Sequence, residues 1–249
     1  MNAFYKKNEL WFALILIIIY SVGQSFAMSL NDMLGVPYAA NAILNVALSV
    51  FLLAFLFKNK LSGKYGLCRP KLPAVRFLFY LPLAVIVTEN LWNGFAIELE
   101  PAGLACYIIY MFCVGIVEEL LFRCLLFEAI AKDNLKLAIV ISSVTFGLGH
   151  FINLLNGVSS DPVETLVQVV GAIAVGFLFV TIYHRGGSIL PCILAHSGID
   201  VTSAFSNLDS LSYTTQLILV AIRIAVIVIY TLVLLKTLPK KPAVRAEAA

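Results

Sequence analysis

Residues 10–28 are LWFALILIIIYSVGQSFAM, a run without a single charged side chain. A helix that spans the hydrocarbon core of a bilayer needs about 20 mostly apolar residues. Lys6 and Lys7 precede this run, and no clear small-residue cleavage site ends it. The sequence therefore predicts that residues 10–28 form a first transmembrane helix that acts as a signal anchor.

The composition of the whole chain supports a membrane protein. Of its 249 residues, 61% are hydrophobic and 12% are charged, whereas soluble domains carry about 45–50% and roughly 25%. The net charge of +3 is too small to indicate a nucleic-acid partner, so the partner we expect is the lipid bilayer. The five cysteines are odd in number and lack CxxC spacing, which predicts buried free thiols rather than a disulfide framework or a thiolate zinc site.

Further apolar stretches of similar length follow the first one, separated by turn and charge signals. The predicted fold class is therefore all-α, a polytopic membrane protein with about eight transmembrane helices. The fourth of them is predicted to be the longest. The predicted spans are 10–28, 38–57, 77–97, 103–128, 135–155, 163–183, 188–207 and 213–238.

Basic residues are confined to one side of this predicted bundle. With the N-terminus in the cytoplasm, 15 of the 17 lysines and arginines fall in inner segments, and Arg123 and Arg223 fall within helices. The outer loops hold only acidic charges, namely Asp32, Glu98, Glu100, Asp161, Glu164 and Asp209. Because lysine and arginine concentrate in cytoplasmic loops, we predict a multi-pass protein of the cell membrane with both termini cytoplasmic.

Ionisable and polar side chains inside the predicted spans are functional candidates, since a charge near the bilayer centre costs roughly 2.5–3.5 kcal/mol on insertion scales. The set is Glu89, Glu118, Glu119, Arg123, Glu128, His150, Asn153, His196, Asp200 and Arg223. In the stretch EELLFR (118–123), Glu119 and Arg123 share a helix face and can pair. Glu118 is rotated by about 100° and lacks that cation, which suits a general base. A purely structural polar seam is the alternative.

Two more candidate motifs lie on other predicted helices. FGLGH (146–150) carries His150, and Gly147 and Gly149 are predicted to let a neighbouring helix approach closely. His196 and Asp200 lie one turn apart on the seventh helix and can face the same way. His184 is assigned to the inner interface.

Two chemistries fit the residues of these three motifs. In the first, Glu118 activates a water molecule while the histidines and Asp200 position it and stabilise the oxyanion. In the second, Glu118, His150 and His196 hold a zinc ion whose bound water attacks. Both would hydrolyse a peptide bond.

The stretches EELLFR, FGLGH and HSGID (196–200) resemble, in order, the three motifs of the CPBP family. These are the CAAX-protease and bacteriocin-processing membrane enzymes, also called Abi proteins. RGGSILPCILAH (185–196) is similar to the family's lead-in to its third motif. The resemblance predicts a catalytic core at 103–207, preceded at 1–102 by three helices with a basic cytoplasmic loop. A last helix and a cytoplasmic tail are predicted at 208–249.

The resemblance implies an intramembrane endopeptidase with a chamber opening toward the cytosol. Glu118 would activate water, Glu119 and Arg123 would complete the first motif, and His150 and His196 would bind water or the oxyanion. Asp200 stands where some members have asparagine, and an aspartate donates no amide hydrogen bond. A role for Asp200 in orienting His196 or aiding a metal is therefore favoured, and zinc and metal-free routes both stay open.

The expected substrate is a membrane-associated or lipidated protein or peptide, in CAAX-type processing or in bacteriocin maturation or immunity. Two other classes of function remain as alternatives. One is a catalytically silent membrane scaffold or immunity protein. The other is a proton-coupled carrier, although the sequence contains no internal repeat of the kind that many transporters have. The oligomeric state and the substrate's identity do not follow from the sequence.

Overall fold

The computed structural model describes residues 1–156, 161–207 and 210–240, with every side chain in them except those of Phe79 and Leu155. Asp209, Lys241 and Arg245, which the sequence assigned to an outer loop and to the tail, lie outside the described residues. The described chain is built from helices and turns, as predicted, and an isolated bridge joins Phe95 to Ser206.

Side-chain caps and left-handed residues mark several of the helix ends. The Asn8 and Asn134 side chains accept hydrogen bonds from the first turns of the helices Glu9–Leu34 and Leu135–Gly149. Gly35 ends the first of these helices with a φ of 66°. The helices are α1 (Asn2–Lys7), α2 (Glu9–Leu34), α3 (Ala39–Lys58), α4 (Leu81–Val87), α5 (Pro101–Glu118), α6 (Glu128–Ala131), α7 (Leu135–Gly149), α8 (Phe151–Leu155), α9 (Pro162–Gly186), α10 (Leu190–Thr202) and α11 (Tyr213–Thr237).

Six helices in the described residues are long and apolar enough to cross a membrane, so the predicted count of about eight is not confirmed. They are Glu9–Leu34, Ala39–Lys58, Pro101–Ala131, Leu135–Leu154, Pro162–Gly186 and Tyr213–Thr237. The predicted spans 77–97 and 188–207 account for the difference, because neither forms one helix of that length.

Local chemistry interrupts both of those segments. In the first, α4 lies between 3-10 turns at Ala74–Tyr80 and Glu89–Asn93, and Pro82 near its start lacks the N–H that would continue the preceding turn. In the second, α10 has 13 residues. It ends where the hydroxyls of Thr202 and Ser203 donate to backbone carbonyls one turn back, which competes with helix continuation.

The fourth predicted span is the longest of these helices, as expected, running continuously through Pro101–Ala131. Its middle part, Glu119–Phe127, is a π-helix, and all nine of its residues are buried. A π-helix bonds each residue to the fifth one along, and single turns of this kind are frequent at functional sites. The first predicted motif therefore lies on an unusual stretch of backbone in the interior of the bundle.

Small residues set the crossings that bring the motif helices together. A Cβ atom added at Gly147 would lie 2.9 Å from both Ile173 N and Val169 O, so α7 and α9 meet at this glycine. At Gly115, an added Cβ would lie 2.6 Å from Ser197 N, where α5 meets α10. Nothing lies within 4 Å at Gly149. The predicted close approach is therefore confirmed at Gly147 and wrong at Gly149.

We expect Gly147→Ala to destabilise the protein by about 1–3 kcal/mol, because the methyl group would overlap backbone atoms that cannot rotate away. Gly149→Ala is the matched control two residues further on, and we expect it to stay within about 1 kcal/mol of the parent. Thermal unfolding in detergent measures both. Equal stabilities for the two variants would contradict the close crossing of α7 and α9.

Candidate active site

A cavity of about 1110 Å³ opens between the helices that carry the predicted motifs. His150 from the end of α7 lines it, together with His196 and Asp200 from α10. The aromatic rings of Tyr107 and Tyr110 from α5 also line the cavity. The structure thus brings the second and third predicted motifs to one cavity, as the sequence led us to expect.

Glu118 is not among the residues that line this cavity, but it lies against His196, which does, and 16% of its side chain is exposed. Its Oε2 is 3.7 Å from His196 Nε2. Its Oε1 accepts a hydrogen bond of 2.7 Å from the Tyr20 hydroxyl on α2. No arginine or lysine pairs with Glu118 in the part of the chain that the structure describes, so the charge of neither residue type offsets that of this carboxylate.

Glu119 and Arg123 form the predicted pair one turn apart, and both side chains are fully buried. Arg123 Nη1 lies 3.2 Å from Glu119 Oε1. The guanidinium carbon sits 3.9 Å from the centre of the Phe146 ring, within the range of a cation–π contact. Among the described residues, no nitrogen of this guanidinium makes an aligned hydrogen bond. Its stabilisation therefore comes from the charge of Glu119 and the face of Phe146.

His196 contacts one carboxylate of the first motif and one of its own motif through its two ring nitrogens. Its Nδ1 lies 2.9 Å from Glu119 Oε1, the oxygen that also faces Arg123. Its Nε2 lies 3.4 Å from Asp200 Oδ2, the pairing predicted from their spacing on the helix. Because a carboxylate can only accept, Nδ1 is the donor to Glu119. This bond fixes the orientation of the ring, and Nε2 faces Glu118 and Asp200.

His150 occupies a separate part of the cavity wall. Its Nδ1 donates to the backbone carbonyl of Phe146 at 3.3 Å, since a carbonyl can only accept. No hydrogen bond or ion pair joins His150 to Glu118 or His196 within the described chain. The structure places His150 beside the cavity without attaching it to the other motif residues.

The predicted zinc ligands do not form a metal site in this arrangement. Across residues 1–156, 161–207 and 210–240, no group of three or more His, Cys, Asp and Glu side chains is placed to hold a metal ion. Glu119 lies at Nδ1 of His196, and Glu118 and Asp200 face its Nε2. His150 bonds a backbone carbonyl instead of these residues. We therefore derive no step of the reaction through a metal.

The sequence did not single out Tyr20, which contacts Glu118 across 98 positions. The available signal was weak, because Tyr20 lies in an apolar run that also contains the hydroxyls of Ser21 and Ser25. Glu89 and Arg223 were noted as polar residues within spans, but their pairing was not predicted. Arg223 Nη1 lies 2.8 Å from Glu89 Oε1, and both residues line the cavity.

The buried Glu119–Arg123 pair gives a stability prediction. We expect Glu119→Gln and Arg123→Met each to cost about 3–5 kcal/mol, because each leaves one charge buried without its partner. The double variant should cost less than the sum of the two single changes. Unfolding of the four proteins in detergent measures this coupling, and strict additivity would mean that the two charges do not interact.

A known protein family matches the part of the chain that contains this site. The family model described as Rce1-like, type II CAAX prenyl endopeptidase, matches residues 100–202, a segment that contains all six predicted site residues. No curated protein and no solved structure matches the chain. The match agrees with the resemblance drawn from the three motifs, and the apolar helices make this a multi-pass membrane protein. The match over residues 100–202 thus supports the CPBP family of CAAX-type membrane proteases.

Proposed function

We propose that this protein is an intramembrane endopeptidase that cleaves a membrane-associated or lipidated peptide by means of a water molecule activated by Glu118. The family match supports a protease of the CAAX type. The observation that carries the proposal is Glu118 itself, a carboxylate that no lysine or arginine pairs with in the described residues and that lies against His196 of the cavity wall. A fixed imidazole stands 3.7 Å away.

Glu118 has the properties that a general base needs. The Tyr20 hydroxyl holds one of its oxygens at 2.7 Å, and the second oxygen faces His196. In the proposed reaction, Glu118 accepts a proton from water while the water oxygen bonds to the carbonyl carbon of the scissile peptide. The same proton then passes to the leaving nitrogen as the C–N bond breaks. General base catalysis of this kind contributes about 10²–10⁴-fold.

The tetrahedral intermediate carries a negative oxygen that needs a donor. His150 is the candidate, because it lines the cavity; with its Nδ1 proton on the Phe146 carbonyl, its Nε2 donates to the oxyanion when the ring is protonated. A proton on His196 Nε2 would supply a second donor near Glu118. One such donor is worth about 10²–10³ in kcat. Asp200 Oδ2 lies 3.4 Å from His196 Nε2, so we assign Asp200 to orienting His196 rather than to the oxyanion.

We expect Glu118→Gln to lower kcat by about 10²–10⁴-fold while the protein still folds, since the amide keeps the shape of the side chain and removes the base. Cleavage of fluorogenic peptides, prenylated and plain, by the protein purified in detergent measures this loss. Glu164→Gln is the matched control, because Glu164 is an exposed carboxylate that does not line the cavity.

The same assay separates the proposed function from its alternatives. Full activity in Glu118→Gln would remove this residue from the mechanism. A wild-type protein that cleaves no peptide in the panel would instead favour a catalytically silent scaffold or a carrier.

Tyr20→Phe tests the contact that the sequence did not predict. We expect a smaller loss than for Glu118→Gln, about 10-fold in kcat, because a hydrogen bond to a charged group contributes about 1.5–3 kcal/mol and only part of it is specific to the transition state. KM should change little. An unchanged kcat in Tyr20→Phe would mean that the Tyr20 hydroxyl does not position the base.

Removal of metal tests the metal-free route. We expect dialysis against a chelator to leave the rate unchanged, because the described residues do not gather a set of ligands. Loss of activity after dialysis, with recovery on addition of zinc, would instead favour the route in which Glu118, His150 and His196 bind the ion.

A further inference from the structure

We infer that Arg223, oriented by Glu89, binds a carboxylate of the substrate peptide, either the group at its C-terminus or the side chain of an aspartate or glutamate. The inference rests on the proposed peptidase function for the kind of ligand. Both residues lie outside residues 100–202, the segment that the family model matches, and neither belongs to the three motifs.

Arg223 is a charge in the interior of an apolar helix. The charged residues of α11 are Arg223 and Lys236, and Lys236 lies in the last turn. An ionisable side chain within a membrane helix is costly and marks a functional site by default. Ile227, one turn after Arg223 on the same face, is fully buried against the bundle. The packed face of α11 therefore continues into a cation that lines the cavity.

Two neighbours fix the position of this guanidinium. Glu89 Oε1 accepts a hydrogen bond of 2.8 Å from Arg223 Nη1. On α9, Gly171 leaves room for the other amino group, because a Cβ atom added there would lie 2.7 Å from Arg223 Nη2. The Arg223 side chain is 21% exposed and that of Glu89 only 8%. Glu89 thus holds the guanidinium from the buried side.

Most of the donors of Arg223 are left for a ligand. Among the described residues, its hydrogen-bond partner is Glu89 alone, although a guanidinium has five N–H donors. Its Nε is buried without a hydrogen bond in that part of the chain, and Nη2 makes none there either. The planar fork of a guanidinium matches the two oxygens of a carboxylate, and such charge-assisted bonds are strong. An anionic group of a peptide fits this position.

The charges of the cavity wall favour this one place for an anion. Within the described residues that line the cavity, Arg223 is the single lysine or arginine. Like charges disfavour an anionic ligand elsewhere, and the carboxylates in the wall are those of Asp32, Glu89 and Asp200. A substrate carboxylate therefore has a defined position, which fixes the register of the peptide.

Hydrogen bonds tie this position to the third motif. The residue after Glu89 is Asn90, whose Nδ2 donates to Ile199 O at 2.6 Å. Ile199 directly precedes Asp200 on α10. The backbone that carries Glu89 is therefore attached to the helix that carries His196 and Asp200.

The position also lies at the level of the second motif. Gly171 stands between Val169 and Ile173, the two residues of α9 that Gly147 of α7 approaches. His150 follows Gly147 by three positions, so Arg223 crosses α9 within about one helical turn of the proposed oxyanion donor. A peptide anchored on Arg223 thus lies along the wall where the proposed reaction takes place, and such positioning lowers the barrier.

Two pairs of fluorogenic peptides test for a carboxylate site and identify its source. The first pair differs in a free or amidated C-terminus. The second pair is amidated and has glutamate or glutamine as its penultimate residue. We expect kcat/KM of the wild type to be about 10–100-fold higher for the carboxylate member of one pair, because a hydrogen bond to a charged group contributes that much. The pair that shows this preference identifies the carboxylate.

Variants of the pair link the preference to Arg223. Glu89→Gln and Arg223→Gln are made together, so that no buried charge is left alone, and we expect the preference to fall to about 1. Gly171→Ala keeps both charges but displaces Nη2, so it should also lower the preference. Lys236→Gln is the matched control, an exposed cation of the same helix that does not line the cavity, and it should keep the wild-type ratio. Thermal unfolding in detergent checks that each variant is folded.

A purely structural ion pair gives a different result. Its loss would lower the rates on both members of a peptide pair alike and leave their ratio unchanged, which overturns the inference. A wild-type protein that cleaves peptides without any carboxylate preference also overturns it, while the proposed peptidase function stands.

Binding measurements separate the two proposals. Fluorescein-labelled copies of the same peptides are titrated with Glu118→Gln, and fluorescence anisotropy gives Kd. We expect the carboxylate member to bind about 10–100-fold more tightly, and the added Glu89→Gln and Arg223→Gln changes to abolish the difference. That result with a wild-type protein that cleaves nothing supports the carboxylate site and contradicts the peptidase function. Equal binding of both members, or binding of neither, overturns the inference.

Discussion

The arrangement of the site depends on one buried ion pair, Glu119 with Arg123. Both side chains lie where water does not reach, and an isolated charge there would be costly. The pair offsets that cost, and the face of Phe146 provides the guanidinium with a further favourable contact. Glu119 uses the same oxygen to hold His196 at 2.9 Å, so the orientation of the imidazole is tied to this ion pair. The first and third predicted motifs thus meet at the Glu119 carboxylate, and Phe146 of the second motif contacts Arg123.

Adjacent glutamates in this motif have different environments and therefore different roles. Glu119 is fully buried in the bundle and paired with Arg123, whereas Glu118 is part-exposed and contacts Tyr20 and His196. The π-helical stretch that begins between them lets nine consecutive residues pack inside the bundle. Backbone shape and burial, rather than residue type, separate the structural carboxylate from the proposed catalytic one.

Local spacing was enough to predict part of this site. The pairs Glu119–Arg123 and His196–Asp200 follow from helical periodicity, because residues four apart share a face. Contacts between distant helices could not be predicted in this way, and Tyr20 with Glu118 is the main example. The predicted count of about eight spanning helices is not confirmed, since an apolar composition does not reveal that Pro82 interrupts the segment 77–97 or that hydroxyls end α10 early.

Amide side chains between α2 and α3 have a mechanical consequence for the site. Gln24 donates to Asn45 at 2.8 Å, and Asn31 donates to Asn41 at 2.7 Å, so polar bonds cross this helix pair at two heights. Apolar helices in lipid can slide past one another at little cost, but interhelical hydrogen bonds oppose sliding. These bonds therefore set the vertical register of α2 and keep Tyr20 level with Glu118 when the bilayer thins or thickens.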